Sequence, residues 1–359
     1  MATADLAGEL NVRVELRDGR VHAVAIDSTR PQLAQRLLAD RPAEEAVALV
    51  PKLFSICGRS QHIAAELALL AARGVAGTAD AAQVRRVEAE MAQEYLWRVL
   101  IDWSRATGAA ADAVTLASAR SALARDDRDG VRAIVEKEVI GDDARRWHEG
   151  RRGFEAWLAR GATVAARFLA QLWREPPDDG SGVPVLPRID RDGTAAKLVA
   201  AFESDPGFER RPTLDGQAAE TGPVARLADH PLVAELVAAY GRSALARFAA
   251  RLTELVRIAC SDDPPAPLAG SISLGQGRGL AWAETARGLL LHQIDLDGDR
   301  IARYRVVAPT EWNFHPQGAL AAALAGRPAA DADGLRRRAA RIIESLDPCV
   351  EYSLQVAHA

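Results

Sequence analysis

The sequence predicts a mostly α fold, α+β in class, into which small β-hairpins are set. Three observations carry this. Apolar residues recur at helical spacing over three long stretches, 80–103, 143–173 and 224–259. Two pairs of short apolar runs each flank an Asp-Gly turn, a strong local hairpin signal. Of the 359 residues, 48% are hydrophobic and 26% charged, enough to bury a sizeable core and ordinary for a globular chain.

In chain order, Asn11 to Leu16 alternates valine with polar residues, Asp18-Gly19 turns the chain, and Val21 to Ile26 resumes the pattern, giving a first hairpin. A short helix is expected over 31–38. Pro51 interrupts the chain, and a helix follows over 62–72 with Ile63, Leu67 and Leu70 on one face. Val84, Val87, Met91, Tyr95 and Leu96 mark the first long amphipathic helix. The alanine-rich, charged region 118–137 reads as a solvated helix face. Trp147, Phe154, Trp157, Leu158, Phe168, Leu169 and Leu172 mark the second long helix, its tryptophans core residues. A short helix is expected over 195–202. In the third long helix Leu232, Leu236, Leu245, Phe248, Leu252 and Val256 are the buried positions. Leu289 to Ile294, Asp297-Gly298 and Ile301 to Val307 form the best hairpin signal, and two helices, 317–325 and 331–345, close the chain.

The run Pro176-Pro177-Asp178-Asp179-Gly180-Ser181-Gly182, with Pro184 and Pro187 after it, reads as a linker. It divides residues 1–175 from 194–359 across a segment 176–193. The two halves are expected to interweave as one domain.

A net charge of −4 and an isoelectric point near 6.0 leave no electrostatic footprint for nucleic acid or an anionic membrane. Three cysteines, Cys57, Cys260 and Cys349, are too few and too scattered for a disulfide framework and suit a reducing compartment. There is no secretory leader pattern and no run of about 18 or more apolar residues, so a cytoplasmic location is expected.

Several signals point to bland chemistry. Gly275-Gln276-Gly277-Arg278-Gly279 has neither the dinucleotide spacing nor the Gly-Lys-Ser/Thr of a phosphate loop. Asp295, Asp297 and Asp299 imitate a calcium loop without its bidentate glutamate, and read as a turn. Cys260 reads as a small buried apolar residue. His292, His315 and His358 have no partner spacing that defines a triad. His62, five residues after Cys57, is either a weaker metal-ligand candidate or a helix-borne histidine with a polar partner.

Two cysteine motifs stand out. Ser55-Ile56-Cys57-Gly58-Arg59-Ser60 puts a thiol just ahead of a helix N-terminus, which favours the thiolate, the form that binds a metal. Leu346-Asp347-Pro348-Cys349-Val350-Glu351-Tyr352 answers it near the other end, which suggests a metal held between the two ends of one fold. Together they resemble the Cys-Gly-x-Cys and Asp-Pro-Cys-x-x-Cys motifs of the nickel-iron hydrogenase large subunit, each keeping its first cysteine and losing its second, to Ser60 and Tyr352. Further stretches resemble that family in order: Arg211-Pro212-Thr213-Leu214-Asp215-Gly216, Glu220-Thr221-Gly222-Pro223-Val224-Ala225-Arg226, Gly241-Arg242-Ser243-Ala244-Leu245, Glu284-Thr285-Ala286-Arg287-Gly288 and Ala308-Pro309-Thr310-Glu311-Trp312-Asn313. The likeness spans about residues 6–70 and 207–356. Within that superfamily, the smaller size and degenerate cysteines are similar to hydrogenase accessory proteins of the HupK or HoxV type.

The resemblance implies a hydrogenase large-subunit-like fold, reduced in size. It also implies that Cys57 and Cys349 are metal ligands, and that Arg287, Pro309 and Thr310 face the diatomic ligands of an iron carbonyl-cyanide unit. Cyanide nitrogen is an acceptor that a guanidinium and a hydroxyl satisfy. Ordinary residue chemistry would make Arg287 one half of a surface salt bridge. Ser60 and Tyr352 offer hard oxygens where the family has bridging thiolates, so no stable nickel is expected. Aligned with the family, Ala7 replaces a proton-carrying glutamate, and the rear motif lies close to Ala359, without the family's cleavable tail. The implied function is a non-enzymatic maturation factor that carries an Fe(CN)2(CO) unit transiently. Its implied partners are hydrogenase maturation chaperones of the HypC/HupF type and the hydrogenase large-subunit precursor. The alternatives are a catalytically reduced hydrogenase-like subunit and a metal-free docking protein.

Overall fold

The computed structural model describes residues 8–31, 33–54, 56–144, 147, 150–174, 179–189, 193–261 and 267–358. Ala7, Ser55, residues 176–178 and 190–192 of the linker segment, and the helix break at 262–266 lie outside them. The chain is mostly helical with two small sheets, as its periodicities require. Its compact units do not follow the halves 1–175 and 194–359. The first comprises Met1–Val87, Ser181–Ala225 and Pro265–Ala359, and the second Glu88–Gly180 and Arg226–Pro264. One change of unit, at 180/181, falls inside the proline-glycine segment.

The first unit carries both sheets. β1 (Glu9–Arg17) and β2 (Arg20–Ser28) form the expected hairpin, turning at Asp18 and Gly19, both at positive φ. Two helices follow, α1 (Leu33–Leu38) and α2 (Ala43–Leu53). The expected interruption at Pro51 is corrected, because α2 runs through that residue before ending at Leu53. α3 (Gly58–Ala72) begins with Cys57 as its N-cap. Ile63 and Leu67 are buried, but Leu70 is 44% exposed and leaves the predicted face.

The second sheet is an antiparallel meander of β3 (Ala269–Gly275), β4 (Arg278–Thr285), β5 (Gly288–Asp297) and β6 (Arg300–Val307). The glycine-rich stretch is its β3–β4 turn, with Gly275, Gln276 and Gly277 at positive φ. Gly279 has a different task, because a β-carbon there would lie 2.3 Å from the backbone nitrogen of Ala72. Strand and helix therefore approach more closely than any side chain allows. Gly279, Ala281 and Ala283 share the face that meets α3, whereas Leu280 and Trp282 point the other way. There they join Leu198 and Phe202 of α4 (Thr194–Ser204), Phe208, Leu289, Leu291, Val307 and Trp312 in a core cluster.

After β6 come α5 (Pro309–Asn313), α6 (Ala319–Leu324) and α7 (Ala332–Leu346). The chain then adds an element beyond the expected two helices, β7 (Glu351–His358), which pairs parallel with β1 and places Leu10 opposite Tyr352. Leu10, Val12, Val14 and Leu16 alternate onto a core with Leu320, Leu335, Ile342 and Ile343.

The second unit is helical. The stretch expected over 80–103 is a helix, Ala81–Trp97, whose residues from Glu88 on belong to this unit, running into a π-helical segment, Arg98–Trp103. The 143–173 stretch resolves into Gly150–Arg160 and Val164–Arg174, parted at Gly161 with φ +56°. The 224–259 stretch is also broken, into Pro223–Arg226, Pro231–Tyr240 and Ala244–Cys260, because Pro231 starts a helix and Gly241 ends one. Trp147 and Trp157 are core residues, ring to ring at 4.9 Å. Cys260 is half-buried rather than fully buried.

Candidate functional site

The parallel pairing of β7 with β1 brings the rear cysteine motif to the open end of the first hairpin. α7 ends at Asp347, which takes a left-handed conformation (φ +57°) that aspartate tolerates, and so turns the chain into Pro348-Cys349. At the hairpin's end the Thr29 amide donates to the Glu9 carbonyl at 2.9 Å, and Glu9 N–H donates to Thr29 Oγ1 at 2.9 Å. Gly8 lies so close that a β-carbon would meet the Arg30 Cα at 2.5 Å. The backbone of Arg30 is thus fixed beside the rear motif.

Cys349 is held by three hydrogen bonds. The Arg30 guanidinium donates to its Sγ at 3.1 Å, its backbone N–H donates to Thr310 Oγ1 at 3.2 Å, and Thr310 Oγ1 lies 3.0 Å from the sulfur. With that oxygen already accepting from the backbone, its hydrogen is available to the sulfur. Pro309 occupies the first turn of α5, where its missing N–H costs nothing, and so presents Thr310. Burial works to lower the Arg30 pKa, but the charges of Cys349, Glu311 and Cys57 outweigh it and raise the value above the ordinary guanidinium range. Arg30 therefore bonds the rear motif directly and feels the charge of Cys57 in the front one. Its face also lies over the Phe54 ring, 5.6 Å from the centroid.

Cys57 is reached differently. Gln61, one turn into α3, donates Nε2–H to Cys57 Sγ at 3.4 Å and has its Oε1 2.8 Å from His292 Nε2. Ser60, where the resemblance expects a second thiol, is fully buried in the same helix. Tyr352, the other replacement, packs half-buried against the core under β1. Burial, then the charge of Glu344, raises its phenol pKa. His62 points along α3 to Glu66, with Nε2 to Oε1 at 3.2 Å.

Arg287 is buried, which corrects the surface salt bridge that ordinary residue chemistry would give it. Its Nε lies 3.7 Å from Asp347 Oδ2, so it is tied to the rear motif two residues from Cys349. The turn that carries it is braced by the other family-like stretches. Asn313 Nδ2 donates to the Arg287 carbonyl at 3.2 Å, Thr221 N–H donates to Asn313 Oδ1 at 2.9 Å, and Leu289 N–H donates to Thr221 Oγ1 at 2.9 Å.

Arg30 and Thr310 stand in the wall of a cleft that Phe54, Arg210, Tyr304 and Glu311 also line. Glu311 has its carboxyl pKa raised to about 7 by burial, against the pull of Arg30 and Arg210. Among the described residues no group of three or more His, Cys, Asp or Glu gathers at one point. The soft donors of the two motifs are the thiols of Cys57 and Cys349. Arg30 carried no signal in the sequence as a site residue, since Cys349 lies 319 positions from it, and the second partner of Gln61, His292, lies 231 positions away.

The sequence profile described as nickel-dependent hydrogenase matches residues 266–354. The hydrogenase expression/formation protein HoxV of Cupriavidus necator is 33% identical over 379 residues, covering 98% of this chain and 97% of the relative. The hydrogenase expression/formation protein HupK of Azotobacter vinelandii is 31% identical, covering 99% of this chain and 100% of the relative. Among solved structures, the reduced Ni-Fe-Se hydrogenase of D. vulgaris Hildenborough has the same fold, with a TM-score of 0.59, 16% identity, and coverage of 93% of this chain and 94% of that one.

Proposed function

This chain belongs to the family of hydrogenase expression/formation proteins that includes HoxV and HupK, and on that premise we propose that it is a scaffold for an Fe(CN)2(CO) unit, held between Cys57 and Cys349 before transfer to a hydrogenase large-subunit precursor. The observation that carries this reading is the setting of Cys349, whose sulfur takes the Arg30 guanidinium at 3.1 Å beside Thr310 at 3.0 Å. Charge-assisted donors around a soft sulfur suit an anionic iron-cyanide cargo, because they neutralise the thiolate and can turn to cyanide nitrogen. Arg287 and Pro309 complete the family-like surroundings. With three cysteines in the whole chain, a four-thiolate nickel site cannot be built from it. The reading is therefore of a non-catalytic assembly factor that works in the cytoplasm with small chaperones of the HypC/HupF type, with neither nucleic acid nor membrane as a partner. No helix among the described residues is long and apolar enough to cross a membrane.

The test is the infrared spectrum of protein purified from cells that express the maturation genes, because iron-bound carbonyl and cyanide absorb where proteins do not. The expected result is a carbonyl band and cyanide bands with iron and without stoichiometric nickel. Protein that supports maturation but carries neither iron nor bands would make it a docking protein. Nickel at one per chain with hydrogen-dependent dye reduction would make it a hydrogenase subunit.

A further inference from the structure

We propose that His292 and Tyr304 are positioning residues for Cys57, holding the Gln61 carboxamide in the orientation that puts its N–H on the sulfur. The inference deepens the scaffold reading and rests on it for its link to iron, but the geometry stands alone. His292 lies on β5 directly opposite Ala281 of β4, and opposed residues of an antiparallel pair share a face. That face is the one Gly279 and Ala281 turn toward α3, so His292 reaches Gln61 across 231 positions of sequence. Tyr304, opposite Ile294 on β6, is on the same face and places its hydroxyl 2.8 Å from His292 Nδ1. All three side chains are fully buried.

Hydrogen positions in this chain are interdependent. If Gln61 Nε2 donates to Cys57, its Oε1 must accept from His292 Nε2–H. A neutral imidazole then has only Nδ1 left as an acceptor, and the Tyr304 hydroxyl donates to it. Burial lowers the His292 pKa to about 3, so the ring stays neutral and keeps one acceptor nitrogen. The Tyr304 backbone N–H donates to Gln35 Oε1 at 2.6 Å, which fixes the strand that carries the phenol. Outer partners of this kind orient a metal ligand and tune its donor strength. An N–H bond to Cys57 sulfur draws charge from it and makes it a weaker donor to iron than a bare thiolate.

The test has two arms on the full chain. Heteronuclear NMR of histidine-labelled protein, with His292 assigned by loss of its signals in His292→Gln, is expected to show one tautomer with hydrogen on Nε2. Tyr304→Phe removes the donor to Nδ1 and should populate the other tautomer, releasing the carboxamide to flip. In the iron-loaded chain the carbonyl band of Tyr304→Phe should then lie at lower frequency than wild type, because sulfur without its N–H gives iron more charge. A merely structural role would reduce band intensity without moving it. Hydrogen on His292 Nδ1 in the wild type would overturn the proposal. So would an unmoved band in a Tyr304→Phe chain whose tautomer has changed. If the wild type carries no bands, the scaffold reading falls, and the tautomer arm still decides this one.

Discussion

Replacing Arg30 with methionine removes the cation bonded to Cys349 while keeping an unbranched side chain over Phe54. The guanidinium donates to Cys349 Sγ at 3.1 Å and is acted on by Cys349, Glu311 and Cys57. A hydrogen bond with an ionised partner contributes about 1.5–3 kcal/mol, and about 1.4 kcal/mol is a factor of ten in an equilibrium constant. Iron retention should therefore fall by roughly one to two orders of magnitude. The assay is the carbonyl band intensity per protein after repeated desalting, compared among wild type, Arg30→Met and Arg30→Lys. Lysine keeps the charge but loses the planar fork, so it should fall between the other two. Arg30→Met that retains iron as well as wild type, with an unchanged band position, would refute the reasoning that Arg30 holds the loaded site together.

Cys57→Ser or Cys349→Ser should abolish the infrared bands and block maturation in a complementation assay, because either leaves one thiolate and a hard hydroxyl. Cys260→Ser should do neither, since the Arg132 guanidinium bonds the Cys260 carbonyl at 2.6 Å, and serine keeps that bond. Arg287→Leu leaves Asp347 facing a lost buried cation and should cost about 3–5 kcal/mol in denaturant unfolding, with Asp347→Asn recovering part of it. The same Arg287→Leu protein should show weakened or shifted infrared bands rather than none. Glu311 has a folded pKa of about 7, above the ordinary value of 4.5, so the folded chain keeps a proton that the unfolded chain has released. Stability from this group is complete below about pH 4.5 and is lost as pH rises through about 7, by at most about 3 kcal/mol at 1.36 kcal/mol per unit. Unfolding curves across that window should flatten on the rising side in Glu311→Gln. His292 contributes the opposite slope, losing stability as pH falls from about 6.5 toward 3.

The hairpins, most helices and the buried faces were legible because periodicity and Asp-Gly turns are local. Val84, Val87, Met91, Tyr95 and Leu96 are all buried as their spacing requires. The breaks at Gly161 and Gly241 are hidden in the sequence because the apolar pattern continues on both sides of each. β7 does carry a short apolar alternation, Tyr352, Leu354 and Val356, and these residues pack against the core. Its parallel place beside β1 is set by that strand's unpaired edge, which no local pattern records. At the site, the family-like stretches pointed to Cys349, Thr310 and Arg287, and Thr310 lies against Cys349 while Arg287 lies against Asp347. Arg30 was illegible because it follows a hairpin as one arginine among many. Its role arises only when the parallel pairing of β1 with β7 carries Cys349 to it. His292 looked like an isolated histidine for the same reason, its partners being Gln61 and Tyr304 on two other elements.

Binding of one iron by the sulfurs of Cys57 and Cys349 together can be read directly, because iron X-ray absorption on the loaded protein reports the ligands. The expected spectrum shows two sulfur neighbours alongside the light atoms of carbonyl and cyanide in the wild type, falling to at most one in Cys57→Ser. Iron without sulfur neighbours in the wild type, or an unchanged sulfur count in the variant, would contradict it.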